Sequence, residues 1–314
     1  MDSLPEMVIP DISSFEQIIE RAKQKAINEK KCRAALLTAA DTETLQAFKR
    51  TVVEGLVEPI MVGSEASFND ACRQMDFSPG RIKYYPAEKN DEAITRAARL
   101  VMDAEIDLLI NGRIPVADML GILFKAESNF IVKGKVVSHV AVIKPRQYKK
   151  LLFLSDSAVV VQVDLKTKLQ LIDNLIKVAE KIGINHPRIA VLAAVEVIYP
   201  QMPVTMEAAI LAKMSERRQI KGAYVDGPLS FDIAVDMFAA HSKGIRDSDV
   251  AGQADALLAP SIETANGIYK AISLYAHCPM GGVIIGGRVP IALISRSDSI
   301  DNKYHSMVLG VLNS

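Results

Sequence analysis

The sequence predicts an α/β fold with largely parallel sheet, divided between two domains. Three observations predict it. Short apolar runs, read as buried strands, alternate with helix-period segments along most of the chain. There are too many strand-like runs for one comfortable sheet. A chain of 314 residues, 49% hydrophobic and 24% charged, supplies enough apolar surface for about two ordinary cores.

Taken in order, Ser13 and Glu16 resemble a capping box, and Ile18, Ile19, Ala22 and Ala26 follow at helical spacing. Ala34–Leu37 is an apolar run, and Asp41 is a plausible N-cap for a helix over roughly 42–55. Pro59–Val62 reads as a strand. A helix over roughly 91–104 leads into Asp107–Ile110, a short buried strand ended by Asn111-Gly112. Val137–Ile143 and Leu151–Leu154 are strand-like runs joined by a polar, proline-containing segment, which reads as a hairpin with a longer loop. Leu165, Leu169, Ile172, Ile176 and Ala179 make one helix face, and Ile189–Val195 a buried strand. A helix from Thr205 to about Arg218, a strand Ala223–Val225, a helix Phe231–His241, a strand Ala256–Ala259 and a helix Gly267–Ala276 continue the alternation. Val283–Ile285 and Pro290–Ile294 read as strands, with a last helix after Ser299.

Charge and composition exclude several classes. Lys plus Arg (37) equals Asp plus Glu (37), so no global basic field exists to hold nucleic acid or an anionic membrane. Cys32, Cys72 and Cys278 are odd in number and far apart, which suggests no disulfide framework and points to a reducing cytoplasm. The acidic N-terminal stretch has no apolar core and is not expected to be a secretory signal. The apolar stretches are too short to span a bilayer. His139, His186, His241, His277 and His305 show no ligand spacing, so no metal is expected. The run Gly281-Gly282 to Gly286-Gly287 lacks both the spacing and the strand–turn–helix setting of a dinucleotide loop.

In open α/β sheets, ligands bind beyond the carboxyl ends of strands, so residues just after strands matter most. Ser295-Arg296-Ser297-Asp298-Ser299-Ile300-Asp301 follows an apolar run directly. Its guanidinium offers a planar fork suited to phosphate, and the helix start after it adds oriented amides. A carboxylate there can take a proton from a nucleophile. The same residues also read as a helix cap without function. Asp226-Gly227-Pro228 is a carboxylate-bearing turn after a strand, and taken alone ordinary turn chemistry is the stronger account of it. Glu263-Thr264-Ala265-Asn266-Gly267 follows the strand Ala256–Ala259, with Tyr269 and Lys270 just inside the next helix, and a cap is again the plain reading.

Together these segments resemble the phosphate acetyl/butyryltransferase family. The likeness runs through SHVAVI (138–143), LLFLSDSAV (151–159), IAVLAAVEVIYPQMP (189–203), KGAYVDGPLSFDIAV (221–235), VAGQADALLAPSIETANGIYKAI (250–272) and GGVIIGGRVPIALISRSDS (281–299). AAVEV and SRSDS look more like the butyryl branch. The resemblance implies two α/β/α domains with a cleft between them, similar to isocitrate and isopropylmalate dehydrogenases. Residues 1–134 and 290–314 would form the first domain and 135–289 the second, with dimers joined through the second. The implied reaction is acyl-CoA plus phosphate to acyl phosphate plus CoA, with coenzyme A as a substrate and no cofactor or metal. Ser295 and Arg296 would steady the phosphate and the developing charge, and an aspartate would deprotonate the CoA thiol. Asn266, Lys270, Asp226, Gly227 and Arg113 are the substrate-binding candidates.

Three positions depart from the family's pattern. The acetyl branch's second aspartate after the Ser-Arg pair, its base, aligns with Asn302, which leaves Asp301 and Asp298 as rival bases, with Asp301, matching the first aspartate, somewhat favoured. Ala265 replaces a glycine before Asn266. Asn111-Gly112 replaces a lysine-glycine pair, with Arg113 next to it as a source of positive charge. The competing readings are a non-catalytic CoA- or acyl-phosphate-binding protein of the same fold, and a dehydrogenase, for which neither a metal-carboxylate cluster nor a nucleotide loop is present in the sequence.

Overall fold

The computed structural model describes residues 7–8, 10–38, 40–293 and 298–314. Two compact units divide the chain: Phe15–Val137 with Met280–Ser314, and Ser138–Pro279 with the residues before Phe15. The divisions fall at 14/15, 137/138 and 279/280, where the sequence reading set them at 134/135 and 289/290 and kept the first fourteen residues with the first domain.

The first unit opens with α1 (Phe15–Asn28), β1 (Cys32–Leu37), α2 (Thr42–Val53), β2 (Val57–Gly63), α3 (Glu65–Met75), β3 (Lys83–Pro86), α4 (Asn90–Met102), β4 (Leu108–Asn111) and α5 (Val116–Leu123). Phe15, Ile18 and Ala22 bury one stripe of α1. Asp41 caps α2 as expected, its carboxylate accepting from Thr44 N at 2.8 Å. The sequence reading assigned neither α3, β3 nor α5. β3 reads Lys-Tyr-Tyr-Pro, with partly exposed residues throughout, because it is the last strand at its edge of the sheet and has no apolar run to announce it.

The second unit comprises β5 (Ser138–Ile143), β6 (Leu152–Ser155), α6 (Leu165–Ile182), β7 (Arg188–Leu192), α7 (Pro203–Glu216), β8 (Tyr224–Leu229), α8 (Phe231–Val235), α9 (Met237–Ser242), β9 (Ala256–Leu258) and α10 (Ile262–Tyr275). Its strands run in the order β5-β6-β9-β7-β8. The expected hairpin is the antiparallel β5–β6 pair. The remaining pairs are parallel. The strand expected over Ile189–Val195 stops at Leu192. The single helix expected over Phe231–His241 is broken at Asp236, whose extended backbone and side-chain bonds to Phe238 N and Ala239 N start α9 afresh.

The chain then returns to the first unit as β10 (Met280–Ile285), β11 (Ile291–Leu293) and α11 (Ile300–Asn313). That unit's strands run β3-β2-β1-β4-β11-β10, parallel except for β10 against β11. α11 packs on β10, β11, α1 and α2, and every residue from Lys303 to Leu312 is buried. Gly281 permits that contact, since a Cβ there would sit 2.9 Å from Ser306 N. Lys25 closes the far end of α11: its ammonium donates to Val311 O at 2.9 Å and to Ser314 O at 2.8 Å, satisfying carbonyls that the helix leaves unpaired.

Candidate active site

In the second unit β6, β9, β7 and β8 run parallel, so their carboxyl ends share one side of the sheet. Ser155-Asp156-Ser157 leaves β6 there. Asp156 organises the turn: Oδ2 accepts from His139 N, and Oδ1 from Ala158 N and Val159 N, each at 2.8 Å. Three backbone donors thus satisfy the buried carboxylate with hydrogen bonds. His139 lies under the turn, 2% exposed, with Nδ1 2.8 Å from Ser157 Oγ. Burial pushes its pKa down to about 4 against the pull of Asp156, so the ring is neutral at pH 7.

α10 passes over this turn. Ser261 caps it through Thr264 N at 3.3 Å, and Asn266 Nδ2 donates to Ser157 O at 2.9 Å. Asn266, Tyr269 and Lys270 are spaced i, i+3, i+4 and share one face. Tyr269 is buried with its ring edge-on to His139 at a centroid distance of 6.1 Å, while Lys270 is exposed. The sequence reading began this helix at Gly267 and put Asn266 in the turn before it. The helix instead begins at Ile262, because Ser261 is an effective cap and a glycine inside a helix is tolerated at about 1 kcal/mol. Asn266 therefore projects from a rigid element.

Asp226 and Gly227 are a correction. They do not follow a strand; β8 runs through them to Leu229. The Asp-Gly-Pro turn signal is overridden by pairing with β7, where Ala190 faces Asp226 and Leu192 faces Leu229, so Gly227 and Pro228 together oppose Val191 in a bulge. Gly227 is there for close approach, since a Cβ would lie 2.7 Å from Val191 O. The Asp226 carboxylate accepts from Gly227 N at 2.8 Å and from Ser248 Oγ. Both residues line a cavity of about 800 Å³ with Lys213, Arg218, Lys221 and Tyr224, formed by segments that precede β7, β8 and β9. That is the amino end of the sheet, opposite Asn266 and Lys270.

In the first unit β1, β4 and β11 are parallel. Ile291 pairs with Leu109 and Ala292 with Ile110, so Leu293 ends level with Asn111. Arg113 is exposed two residues beyond, in a turn held by Asn111 Nδ2 donating to Ile114 O at 2.7 Å. Ser295 and Arg296 lie outside the described residues. Asp298 is half-buried. Ser299 caps α11 through Asn302 N at 3.2 Å, so the capping reading holds for this serine. Asp301 is 73% exposed and paired with Arg50 Nη1 at 3.2 Å. Asn302 Oδ1 accepts from Met280 N at 3.1 Å. Lys303, 1% exposed, pairs with Asp41 at 2.6 Å and fixes the first turn of α11 against the start of α2.

Sequence reasoning missed Asp156 and Ser157 and took His139 as structural. The available signal was position: Ser-Asp-Ser directly follows the apolar run Leu151–Leu154. Among the described residues no group of three or more His, Cys, Asp or Glu could hold a metal, and no helix is long and apolar enough to cross a membrane. The three cysteines are free and buried, and burial pushes the Cys32 thiol up to about 12.

Comparison with known proteins identifies the family. The family model described as phosphate acetyl/butaryl transferase matches residues 87–311. The phosphate butyryltransferase of Clostridium acetobutylicum is 38% identical over 303 residues, covering 96% of this chain and 98% of its own. The phosphate acetyltransferase of Thermotoga maritima is 36% identical over 300 residues, covering 95% and 99%. The crystal structure of a branched-chain phosphotransacylase from Enterococcus faecalis V583 superposes with a TM-score of 0.76 at 28% identity, covering 90% of this chain and 98% of that one.

Proposed function

The chain belongs to the phosphate acetyl/butaryl transferase family, and from that premise we propose that it moves a short acyl group reversibly between coenzyme A and inorganic phosphate. The observation that carries this is near-full-length similarity to phosphate butyryl- and acetyltransferases alike. The acyl group is butyryl or a branched chain of similar size, a reading supported by the names of the butyryltransferase relatives and of the branched-chain structural neighbour.

In the direction of thioester formation, CoA brings a thiol with an ordinary pKa of roughly 8.5, so little thiolate exists at neutral pH and a base is needed. Asp298 takes that proton. It is half-buried just before the α11 cap, whereas Asp301, which the sequence reading preferred, is exposed and held by Arg50. The thiolate attacks the acyl phosphate carbonyl, the carbonyl–phosphate bond breaks, and phosphate leaves. Arg296 and Ser295 steady the phosphate oxygens, and Arg113 adds positive charge nearby. Asn266 and Lys270 hold CoA. Asp226 and Gly227, turned to the amino end of their sheet, have no part in this reading. No metal or cofactor takes part.

The architectural likeness to isocitrate and isopropylmalate dehydrogenases belongs to the same reading and is supported by two separately cored α/β units. So does a homodimer joined through the second unit, which leaves Phe238 71% and Tyr275 80% exposed. Three free cysteines accord with work in the cytoplasm. The test is a chain-length series of acyl phosphates with CoA, followed by loss of free thiol. Turnover should be greatest at four to five carbons, on the order of the pocket discrimination one methylene gives, about tenfold or more over acetyl. A protein that consumes no thiol with any acyl phosphate overturns the reading.

A further inference from the structure

Asn266 does not set its own orientation. Its Nδ2 donates to Ser157 O at 2.9 Å, so the direction of that carbonyl decides where the amide points. Ser157 is held from two sides. Asp156, next to it, gathers the backbone N–H groups of His139, Ala158 and Val159, and the Ser157 hydroxyl meets His139 Nδ1 at 2.8 Å. The other ring nitrogen, Nε2, is buried and has no hydrogen-bond partner among the described residues.

The bond between His139 and Ser157 stands in either tautomer. A neutral imidazole carries one N–H. With that proton on Nε2, the Ser157 hydroxyl donates to Nδ1; with it on Nδ1, the ring donates to Ser157 Oγ. Either way the 2.8 Å contact holds the two side chains together. Burial that lowers the ring's pKa to about 4 keeps the neutral form in place.

We propose that His139 is a positioning residue for acyl transfer, whose Nδ1 fixes Ser157 and, through the Ser157 carbonyl, turns Asn266 so that its Oδ1 faces coenzyme A. With Nδ2 committed to Ser157, Asn266 offers the ligand an acceptor. It reads an N–H or S–H donor on the thiol-bearing arm of CoA and is unsuited to a phosphate oxygen. The inference rests on the acyl-transfer reading and adds to it the chemistry that Asn266 recognises.

The test is a set of variants assayed for thioester formation with both substrates varied. His139→Leu should raise KM for CoA about five- to tenfold, the size of one net hydrogen bond, and leave KM for acyl phosphate unchanged. His139→Asn, which can place a hydrogen-bonding atom where Nδ1 stood, should restore KM; His139→Gln, whose amide reaches toward the Nε2 position, should not. In an Asn266→Ala background, His139→Leu should have no further effect, since the pathway to CoA is already cut. Additive effects of His139→Leu and Asn266→Ala, or a KM for CoA that His139→Leu leaves unchanged, would overturn the proposal even with an active enzyme. A wild-type protein that forms no thioester overturns the acyl-transfer reading, and the role of His139 with it.

Discussion

Asp41→Ala should be far more damaging than Lys303→Met, although each breaks the same ion pair. The Lys303 ammonium is 1% exposed and reaches Asp41 Oδ1 at 2.6 Å and Thr44 Oγ1 at 3.2 Å. Removing Asp41 strands that charge in the core with a single hydroxyl, which costs about 3–5 kcal/mol. It also removes the cap on Thr44 N, worth about 1 kcal/mol. The total, about 4–6 kcal/mol, is a large part of the 5–15 kcal/mol or so that holds a domain together. Lys303→Met removes charge and demand together. Asp41, 29% exposed, keeps its water and its capping bonds, and methionine fills the channel, so the loss is about 1–2 kcal/mol. The double variant should recover most of the Asp41→Ala loss. Urea midpoints followed by circular dichroism measure all three. A Lys303→Met protein as unstable as Asp41→Ala, or a double variant worse than either, would refute the reasoning. The pair also sets an acid limit. Burial raises the Asp41 pKa, but hydrogen bonds from Lys303 and Thr44 outweigh it and hold the carboxyl well below the usual range. Its contribution is therefore complete above the unfolded value of roughly 3.9 and is lost as pH falls below it.

Arg296→Lys should cut turnover about a hundredfold or more, chiefly on the phosphate side, because lysine keeps the charge and loses the bidentate fork; kinetics near wild type for both acyl phosphate and phosphate would remove Arg296 from the site. Asp298→Asn should lower kcat by about 10²–10⁴ with CoA binding intact and partial recovery at higher pH, while Asp301→Asn changes kcat little; the reverse ranking in a pH–rate comparison would return the base to Asp301. Prolonged EDTA treatment should leave turnover unchanged, and activity lost to the chelator and restored by one divalent ion would contradict the metal-free reading.

Most of the fold was legible because buried parallel strands write themselves as apolar runs, and Ala34–Leu37 and Leu151–Leu154 both became strands. What failed did so for local reasons. β3 sits at an edge and needs no apolar run. At 226–228 a turn signal lost to the pairing of β7 with β8, which no short window can see. At 262–267 a glycine read as a helix start lies inside the helix. α11 carries Lys303, His305 and Ser306 among its buried residues, because Asp41, Phe15 and Gly282 supply partners from distant parts of the chain. Of the candidate site, Asp298 and Asp301 were picked out by position after an apolar run, whereas Asp156 and Ser157, placed the same way after Leu151–Leu154, were passed over. The link from His139 to Asn266 was not legible, since it joins residues more than a hundred apart.

The discontinuity of the first unit bears on how the protein is made. A ribosome delivers α1 to α5 early, then must extend the chain through Ser138–Pro279, on the order of ten seconds at ordinary elongation rates, before β10, β11 and α11 exist. Until then β4 lacks its β11 neighbour, and the face that α11 covers stays open to solvent. The second unit, almost all contiguous, has no such wait. Nascent chains stalled within Ser138–Pro279 should therefore engage chaperones through their oldest segment, and a premature stop after Pro279 should leave a folded half tethered to an aggregation-prone one.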